Sequence, residues 1–361
     1  MFKVWIDFLT PKQLLFFKEL STFLRKRKFK VILTTRRYRE VIELMKMKNI
    51  DAQVFGEYGG KDLASKLKAS TKRTLELIDY IVSEKPELAI SFSSPECARV
   101  AFGLGIPLIL VNDSPHSIFV AKLTIPLSRY LFSPYVIPKK AWVNFGISED
   151  RIFQYKAIDP VAWLKNFKPN KKVLNSLNID TTKKLIVIRE TEMFASYLGR
   201  NFSSLAPISD NIVPNLLSTL GNKIQIIILP RYNVQVDYLV KKYFKTNVIV
   251  ARKVVDGASL LYYSDLLIGG GGTMNAEAAL LGVPVISVFP GEITYVEDFL
   301  IREKLLIRLN DPRKIIEMAL KLLQDEELRE EIRERASKLL ESMENPAEFI
   351  TNKIIQLFCD M

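Results

Sequence analysis

The sequence has few of the residues on which metal and redox chemistry depend. Its 361 residues include two cysteines and one histidine. Cys97 and Cys359 lie far apart and form no metal-ligand spacing, so we expect neither a disulfide framework nor a zinc site. Because His116 is the only histidine, mechanisms that need two, which include most zinc hydrolases, are excluded. The sequence therefore predicts a site without a metal.

Long uncharged apolar runs and low-complexity tracts are also missing. Residues 100–111 form an apolar stretch, but glycines and Pro107 interrupt it, and a bilayer span needs about 20 apolar residues. Met1 leads directly into a strand-like run with no visible signal peptide. We therefore expect a cytoplasmic protein. A peripheral position at the inner face of the cell membrane is compatible with this expectation.

Charge of one sign is in excess, since the formal net charge is +12. A basic surface attracts polyanions, and nucleic acid, an anionic membrane and phosphorylated small molecules all fit. The lysine-rich composition can equally reflect the source organism. Nucleic acid is the least favoured partner, because no RNA-binding motif or aromatic-basic interleaving is present. Nothing in the sequence predicts an oligomeric state.

Short apolar runs alternate with helix-like segments, which is typical of βαβ units and parallel sheets. The polar residues 166–184 lack strand signals and predict a boundary there, giving domains of residues 1–165 and 166–340 and a final helix at 341–361. Two Rossmann-like α/β domains are expected, with ligands at the carboxyl ends of their strands. Strands are predicted at residues 3–8, 30–34, 88–92, 107–111, 185–189, 224–229, 247–250, 266–269 and 283–288, and N-terminal helices at 12–28, 38–48 and 61–84.

The most informative segment is Gly269-Gly270-Gly271-Gly272, between a buried strand and a helix that starts at Thr273. Glycines let the backbone turn sharply and remove Cβ atoms that would block a ligand. A helix N-terminus with free N–H groups binds anions. Glu277, four residues into this helix, can accept hydrogen bonds from two ribose hydroxyls. The segment thus suits a nucleotide diphosphate; the alternative is a tight turn with a Glu that favours the helix dipole.

The glycine run is neither a P-loop nor a Rossmann fingerprint, because no Gly-Lys-Ser/Thr follows it and the first strand leads into Thr10-Pro11-Lys12. Residues 256–290 instead resemble an uncharacterised archaeal and bacterial family, domain of unknown function number 354, which is related to UDP-GlcNAc 2-epimerases and GT-B glycosyltransferases. The resemblance covers almost the whole chain. Its N-terminal part is carried by residues 4–7, 16–17, 34–36 and 98–107, and by Ala157-Ile158-Asp159.

The resemblance implies a GT-B fold, in which two Rossmann-like domains with parallel sheets face a cleft. The N-terminal domain would bind the acceptor, the C-terminal domain the nucleotide-sugar, and the final helix would cross back to the N-terminal domain. Gly271, Gly272 and Thr273 would contact the diphosphate, and Glu277 the ribose. Gly270 and Asn275 are assigned to the same site.

The chain departs from the epimerases that it resembles. It lacks their HGDT-like motif, its second domain has no histidine, and the segment aligned with their acidic motif, residues 91–96, reads Ser-Phe-Ser-Ser-Pro-Glu. Epimerisation needs groups that remove and return the C2 proton. We therefore rank glycosyl transfer above 2-epimerisation. In its own family the loop after the first strand often carries histidine, which residues 8–13 lack.

Candidate catalytic groups follow other strands. Asp113 and His116 come after the fourth predicted strand and are the best candidates for the base of an inverting glycosyltransferase. Their alternatives are an Asx-turn and an incidental surface histidine. Asp7 ends the first strand and is a third candidate, with a helix N-cap as its alternative.

Arg36, Arg189 and Arg231 each follow a strand and are predicted to bind the diphosphate, since arginine suits bidentate phosphate contacts. A surface ion pair is the alternative for each. Glu190 and Glu192 could line the same opening, without an assigned role. Basic residues flank the apolar face of residues 12–28, and residues 118–137 are similarly apolar; either could touch an anionic membrane carrying a lipid-linked acceptor, or be an ordinary core helix.

Three functions remain open. The first is a metal-independent glycosyltransferase that takes a UDP-sugar or other NDP-sugar as substrate, needs no further cofactor and acts on an unknown acceptor. The second is a sugar-nucleotide epimerase or hydrolase. The third, ranked last, is a non-enzymatic nucleotide- or nucleic-acid-binding protein.

Overall fold

A computed structural model describes residues 1–60, 62–191, 207–244 and 246–359. The chain divides into two compact units. Unit 1 comprises Met1–Trp163 together with Met343–Met361, and unit 2 comprises Leu164–Ser342. Each unit is an α/β layer structure built on its own parallel sheet.

Unit 1 has seven described strands, all parallel, in the order β3-β2-β1-β4-β5-β6-β7. The strands are β1 (Lys3–Phe8), β2 (Lys30–Arg37), β3 (Gln53–Glu57), β4 (Leu88–Ser91), β5 (Leu108–Val111), β6 (Tyr130–Pro134) and β7 (Ile152–Tyr155). The helices are α1 (Pro11–Lys26), α2 (Arg39–Lys48), α3 (Leu63–Glu84), α4 (Pro95–Gly103), α5 (Ile118–Thr124), α6 (Lys140–Val143), α7 (Val161–Leu164), whose last residue begins unit 2, and α16 (Pro346–Phe358).

Unit 2 has six described strands, also all parallel, in the order β10-β9-β8-β11-β12-β13. The strands are β8 (Lys184–Arg189), β9 (Ile224–Leu229), β10 (Val248–Val250), β11 (Leu266–Gly269), β12 (Val285–Ser287) and β13 (Ile307–Arg308). The helices are α8 (Lys172–Ser176), α9 (Ile208–Leu220), α10 (Asn233–Lys242), α11 (Gly257–Tyr262), α12 (Thr273–Leu280), α13 (Tyr295–Arg302), α14 (Pro312–Gln324) and α15 (Glu326–Ser342).

The central strands of both sheets are apolar on both faces. Every residue of β5 and of β11 is buried, as parallel strands covered by helices on both sides require. In each sheet the strand order reverses beside the first strand, between β1 and β4 in unit 1 and between β8 and β11 in unit 2. Such switch points are where open parallel sheets bind ligands, at the carboxyl ends of the strands. The predicted α/β class and the GT-B fold are confirmed.

The two segments for which membrane contact was one alternative, residues 12–28 and 118–137, are not both single helices. Residues 118–137 are not one helix: α5 is followed by a 3₁₀ turn at Ile125–Leu127 and by β6. The apolar face of α1, which includes Leu14, Phe16 and Phe17, is buried and α1 packs against α16. α1 is therefore an ordinary core helix, which was the alternative to membrane contact. No helix of the described residues is long and apolar enough to span a bilayer.

Candidate functional site

The four glycines form a turn in which close packing leaves no room for a Cβ on Gly270 or Gly271. The N–H of Gly270 donates to the carbonyl of Arg189 at 2.9 Å, which fixes the turn to the end of β8. A Cβ on Gly270 would lie 2.5 Å from the Thr191 backbone, and one on Gly271 would lie 2.6 Å from the Phe289 ring. Close packing therefore requires glycine at both positions, and at Gly271 the positive φ of the backbone favours it as well.

Gly272 differs, because space is open beside it. Its φ is 87° and that of Gly271 is 88°, the region that favours glycine. A Cβ on Gly272 would meet only Arg231 Nη2, at 3.9 Å. Gly272 is also the N-cap of α12 and provides no side-chain cap for it. An uncapped helix N-terminus beside open space is the arrangement that binds an anion.

Arg231 lies against the glycine turn. Its Nε donates to the Glu190 carbonyl at 3.0 Å and its Nη2 to the Gly271 carbonyl at 3.5 Å. Arg189 is directed elsewhere, with Nη1 donating to the Pro230 carbonyl at 2.9 Å. Of the two arginines predicted in this unit, Arg231 is thus the one held at the turn.

Asn275 and Glu277 lie in the buried part of α12. The Asn275 amide donates to the Gly269 carbonyl at 3.4 Å, so it joins the helix to β11. Its Oδ1 has no hydrogen-bond partner among the described residues. Glu277 is 6% exposed and lies two residues further along the helix.

A charged cluster that sequence reasoning missed supports the turn. The Glu297 carboxylate accepts from Ser287 Oγ at 2.5 Å and from Arg308 Nη1 at 3.0 Å. Arg308 also donates to the carbonyls of Phe289, at 3.1 Å, and Gly291. These contacts hold the segment whose Phe289 ring covers Gly271. Nothing in the spacing of these residues in the sequence could have indicated the cluster.

Glu190 has a structural role. Its buried carboxylate accepts from the N–H groups of Ile208 and Ser209 and from Ser209 Oγ, so it caps the N-terminus of α9. Burial raises the pKa of Glu190, against these hydrogen bonds. Glu192, predicted beside it, lies outside the described residues.

Asp7 is buried in unit 1 and paired with Arg73. Arg73 donates from Nη1 to Oδ2 at 3.1 Å and from Nη2 to Oδ1 at 2.5 Å, and Thr34 Oγ1 donates to Oδ1 at 2.6 Å. The alternative of Asp7 as a helix cap is wrong, because Thr10 caps α1. With both oxygens bound in the interior, Asp7 fixes the ends of β1 and β2 relative to α3.

Arg36 belongs to unit 1, whereas the glycine turn belongs to unit 2. Its guanidinium lies 5.2 Å from the Tyr58 ring centroid and 5.9 Å from that of Tyr38. Burial lowers the pKa of Arg36. Its Nε has no hydrogen-bond partner in the part of the chain that the structure describes.

Asp113 is one of two carboxylates held by a single lysine. Lys12 Nζ lies 2.5 Å from Asp113 Oδ2 and 2.6 Å from Asp159 Oδ2. Ser114 Oγ donates to Asp113 Oδ1 at 2.8 Å, and the Tyr155 hydroxyl donates to Asp159 Oδ1. The Asx-turn alternative for Asp113 is wrong, since it is the Asn112 side chain that accepts from the Ser114 N–H. We call Lys12, Asp113, Asp159 and Tyr155 the lysine–dicarboxylate cluster. His116 is exposed on the turn that follows.

The two carboxylates of this cluster titrate differently. Burial raises the pKa of Asp159 to about 6, although the Lys12 ammonium opposes the shift. Burial acts on Asp113 too, but Lys12 and the hydrogen bonds outweigh it and lower its pKa. Lys12 itself loses charge stabilisation by burial and regains more from the two carboxylates, so its pKa is raised. The two shifts differ because the Asp159 side chain is only 1% exposed and the negative charge of Asp113 raises its pKa further, whereas Asp113 accepts hydrogen bonds that lower its pKa.

Sequence reasoning found only part of this cluster. Asp113 was predicted as a base. Lys12 belongs to a predicted helix that could touch a membrane or be an ordinary core helix, Asp159 enters only as part of the family resemblance, and Tyr155 is not among the predicted residues. The described residues hold no group of three or more His, Cys, Asp or Glu side chains placed to bind a metal ion.

Comparison with known proteins shows which family the sequence belongs to. The family described as "Protein of unknown function (DUF354)" matches residues 2–356. The chain belongs to this family. An uncharacterized protein of Methanocaldococcus jannaschii is 32% identical over 320 residues, which are 87% of this chain and 89% of that protein. The resemblance noted in the sequence is confirmed.

Solved structures share the fold over the whole chain. The co-structure of S. aureus MnaA with UDP has a TM-score of 0.76 at 16% identity and covers 100% of this chain and 97% of that one. The Methanocaldococcus jannaschii UDP-GlcNAc 2-epimerase in complex with UDP-GlcNAc and UDP has a TM-score of 0.74 at 17% identity, covering 98% and 99%. The glycotransferase of kitacinnamycin has a TM-score of 0.61 at 12% identity, covering 98% of each chain.

Substitution of Gly271 by Ala is expected to destabilise unit 2 by about 3 kcal/mol, because the new Cβ clashes with Phe289 and the backbone conformation is strained. Gly272→Ala adds strain alone and should cost about 1–3 kcal/mol. Urea denaturation measures both. Gly103→Ala is the control, since Gly103 ends α4 without a positive φ and faces only the flexible end of Arg99. Equal stability of Gly271→Ala and Gly103→Ala would contradict this account of the turn.

Substitution of Asp7 by Asn is expected to lower the free energy of unfolding by about 3 kcal/mol, because Arg73 keeps its buried charge without its main partner. The second carboxylate near it, Glu96, lies 3.7 Å away and compensates only in part. The control is Lys72→Met, which removes an exposed ion pair with Glu76 and should leave stability unchanged. A wild-type unfolding curve for Asp7→Asn would show that the ion pair is dispensable.

Proposed function

We propose that the chain is a glycosyltransferase that takes its sugar from a nucleoside-diphosphate sugar. One observation carries the proposal: the uncapped N-terminus of α12 meets open space at Gly272, at the switch point of the unit 2 sheet. Arg231 adds a positive charge at the same turn. Together these features suit a diphosphate.

The donor would lie along the turn and the helix, with its diphosphate at the turn and its ribose further along the helix. The N–H groups of Gly271, Gly272 and Thr273 would hold the diphosphate, and Glu277 would accept hydrogen bonds from the ribose hydroxyls. Gly270 and Asn275 would set the shape of the turn. The UDP bound in the S. aureus MnaA co-structure and in the M. jannaschii epimerase complex makes UDP-sugars the first donors to test.

Transfer of the sugar leaves a nucleoside diphosphate, whose growing negative charge must be stabilised as the glycosidic bond breaks. The α12 N-terminus and Arg231 would supply this stabilisation, and we propose that no metal is needed. Arg189 donates to backbone carbonyls at the end of β9, and we assign it no direct contact with the diphosphate. Arg36, in unit 1, has an Nε without a hydrogen-bond partner among the described residues and remains a predicted phosphate ligand.

Unit 1 would bind the acceptor, and Asp113 is the base that the geometry favours. It follows β5 at the carboxyl edge of the sheet and keeps part of its side chain exposed. His116 is exposed and remains a second predicted base. Asp7 is bound by Arg73 and Thr34, so we assign it a positioning role.

A 2-epimerase is the second candidate. The observation that favours it is fold similarity, since the M. jannaschii UDP-GlcNAc 2-epimerase complex matches with a higher TM-score than the glycotransferase does. The lack of a histidine in unit 2 and the Ser-Phe-Ser-Ser-Pro-Glu segment argue against the same acid–base machinery.

A panel of NDP-sugars, each incubated with the full chain, separates the two reactions. The transferase account expects release of nucleoside diphosphate that increases when hydroxyl compounds are added as acceptors. Formation of ManNAc from UDP-GlcNAc without an acceptor would instead establish the epimerase. If thermal shift and calorimetry detect no binding of any NDP-sugar, both are wrong.

Two substitutions are expected to separate the diphosphate contact from the ribose contact. Arg231→Gln should weaken UDP and inorganic diphosphate alike, by about tenfold or more, because a charged hydrogen bond contributes about 1.5–3 kcal/mol. Glu277→Gln should weaken UDP by a similar factor and leave diphosphate unchanged. Isothermal titration calorimetry measures each affinity. Arg313→Gln on α14 removes a matched exposed charge and should change neither affinity. Equal loss of both ligands in Glu277→Gln would rule out the ribose contact.

The acceptor would be presented at a membrane surface by α5. Phe119 is 71% exposed and Leu123 is 60% exposed, and Lys122 lies between them on the same short helix. Exposed apolar side chains with a basic neighbour suit the surface of an anionic bilayer.

Binding to vesicles containing phosphatidylglycerol should therefore be lost in the Phe119→Ser variant and at high salt, because both the apolar and the charged contributions are needed. Co-sedimentation measures it. Val234→Ser in unit 2 removes an equally exposed apolar side chain and serves as the control. Wild-type binding by Phe119→Ser would show that α5 has no such role.

A further inference from the structure

The lysine–dicarboxylate cluster lies at the edge of the unit 1 sheet where ligands bind. Lys12 is in the first turn of α1, directly after β1, Asp113 follows β5, and Asp159 follows β7. Each of these positions comes after the carboxyl end of a parallel strand. Three segments far apart in sequence thus bring one ammonium and two carboxylates into contact.

The four side chains differ in what a ligand can reach. Lys12 and Asp113 keep 17% and 20% of their side-chain surface exposed, whereas Asp159 is 1% exposed and Tyr155 is buried. A ligand would therefore meet the Lys12 ammonium and the Asp113 carboxylate. Asp159 and Tyr155 lie behind them and can act only through Lys12 and Asp113. Lys12 is also fixed from one side by the Phe92 ring, 4.5 Å from its Nζ.

Charge selects the class of ligand. With both carboxylates ionised the cluster carries one positive and two negative charges, so it repels a phosphate or a diphosphate. A neutral hydroxyl group fits, because Asp113 can accept its proton and Lys12 can donate to its oxygen. The glycine turn in unit 2 has the opposite preference, because its N–H groups favour an anion.

We propose that the lysine–dicarboxylate cluster is the subsite for the acceptor hydroxyl and that Asp113 takes its proton, with Lys12, Asp159 and Tyr155 as positioning residues. The proposal rests on the glycosyl transfer proposed above and names its acceptor as a hydroxyl compound, such as a sugar or polyol.

In the proposed step an alcohol attacks the anomeric carbon of the donor sugar. The O–H proton passes to the Asp113 carboxylate, and the oxygen forms a bond to the anomeric carbon of the donor sugar. The bond from that carbon to the diphosphate oxygen breaks, and its electron pair leaves with the nucleoside diphosphate. The proton on Asp113 is then lost to solvent.

Asp159 would determine the pH at which Asp113 can act. Lys12 joins the two carboxylates, and a hydrogen bond from Asp159 lowers the pKa of Asp113, so a proton held by Asp159 makes Asp113 the weaker base. The groups that act on Asp159 are Lys12, Asp113 and Tyr155. Burial raises the pKa of Asp159 to about 6, so the form of the cluster in which Asp113 is the stronger base is present above that pH and is lost as the pH falls through it.

The first test follows the rate of nucleoside diphosphate release from the donor that the NDP-sugar panel identifies, with methyl β-D-glucopyranoside as the acceptor probe. For the full wild-type chain the rate should rise about tenfold between pH 5 and pH 7, as a single ionisation near pH 6 requires. Asp113→Asn should lower the rate at pH 7 by about 100-fold or more while the affinity for UDP stays unchanged.

Variants of the positioning residues are expected to change the profile itself. Asp159→Asn should remove the rise near pH 6. Tyr155→Phe should move the rise to higher pH, because the Tyr155 hydrogen bond lowers the pKa of Asp159. Asp51→Asn, an exposed carboxylate that precedes β3, is the control and should keep the wild-type profile. A full rate in Asp113→Asn, or an unchanged profile in Asp159→Asn, would overturn the proposal.

A second measurement needs no donor and no activity. In the full chain labelled with [¹³C]aspartate, the carboxyl signal that disappears in Asp159→Asn should titrate near pH 6, and methyl β-D-glucopyranoside should shift the Asp113 signal. If UDP does not bind but these shifts occur, the proposed donor site is wrong and the hydroxyl subsite stands. If UDP binds and neither carboxyl responds, the hydroxyl subsite is wrong and the donor site stands.

Discussion

The architecture of the proposed donor site depends on one steric constraint, the absence of side chains at the four-glycine turn that begins at the end of β11. The Thr191 backbone and the Phe289 ring approach so closely that a Cβ on Gly270 or Gly271 would overlap them. This packing fixes the start of α12, and at Gly272 the same turn opens towards free space. The uncapped helix N-terminus is therefore held in one position while remaining accessible, which is the physical requirement for binding a diphosphate without a metal.

Buried charges have two distinct uses in unit 1. The Asp7–Arg73 pair is closed, since its carboxylate is satisfied by arginine and by Thr34, and it joins β1 and β2 to α3. The lysine–dicarboxylate cluster is open on one side and carries an excess carboxylate, and its two acids have pKa values that move in opposite directions. Opposite shifts in neighbouring acids are typical of sites that hold and release a proton. Unit 2 offers cationic and N–H groups, which suit the anionic donor, whereas this cluster offers a carboxylate, which suits the hydroxyl group of the acceptor.

Much of the fold could be predicted from the sequence, because buried parallel strands are continuous apolar runs. β1, β9 and β11 lie where the pattern placed them. β6 was missed because it lies in a stretch whose apolar residues continue from α5, and β3 because its residues are only half buried. The glycine turn was recognisable because its residues are consecutive. The lysine–dicarboxylate cluster was not, since Lys12, Asp113 and Asp159 meet only through the strand order of the sheet, and hydrophobic periodicity carries no information about side chains that converge from separate strands.

The central claim is that the N-terminus of α12 binds the diphosphate of a nucleotide. A crystal structure of the full chain soaked with UDP tests it most directly. The account predicts density for the diphosphate within hydrogen-bond distance of the N–H groups of Gly271, Gly272 and Thr273, with the Arg231 guanidinium beside it and the ribose at Glu277. UDP bound at another place on unit 2, or an empty glycine turn at saturating UDP, would contradict the claim.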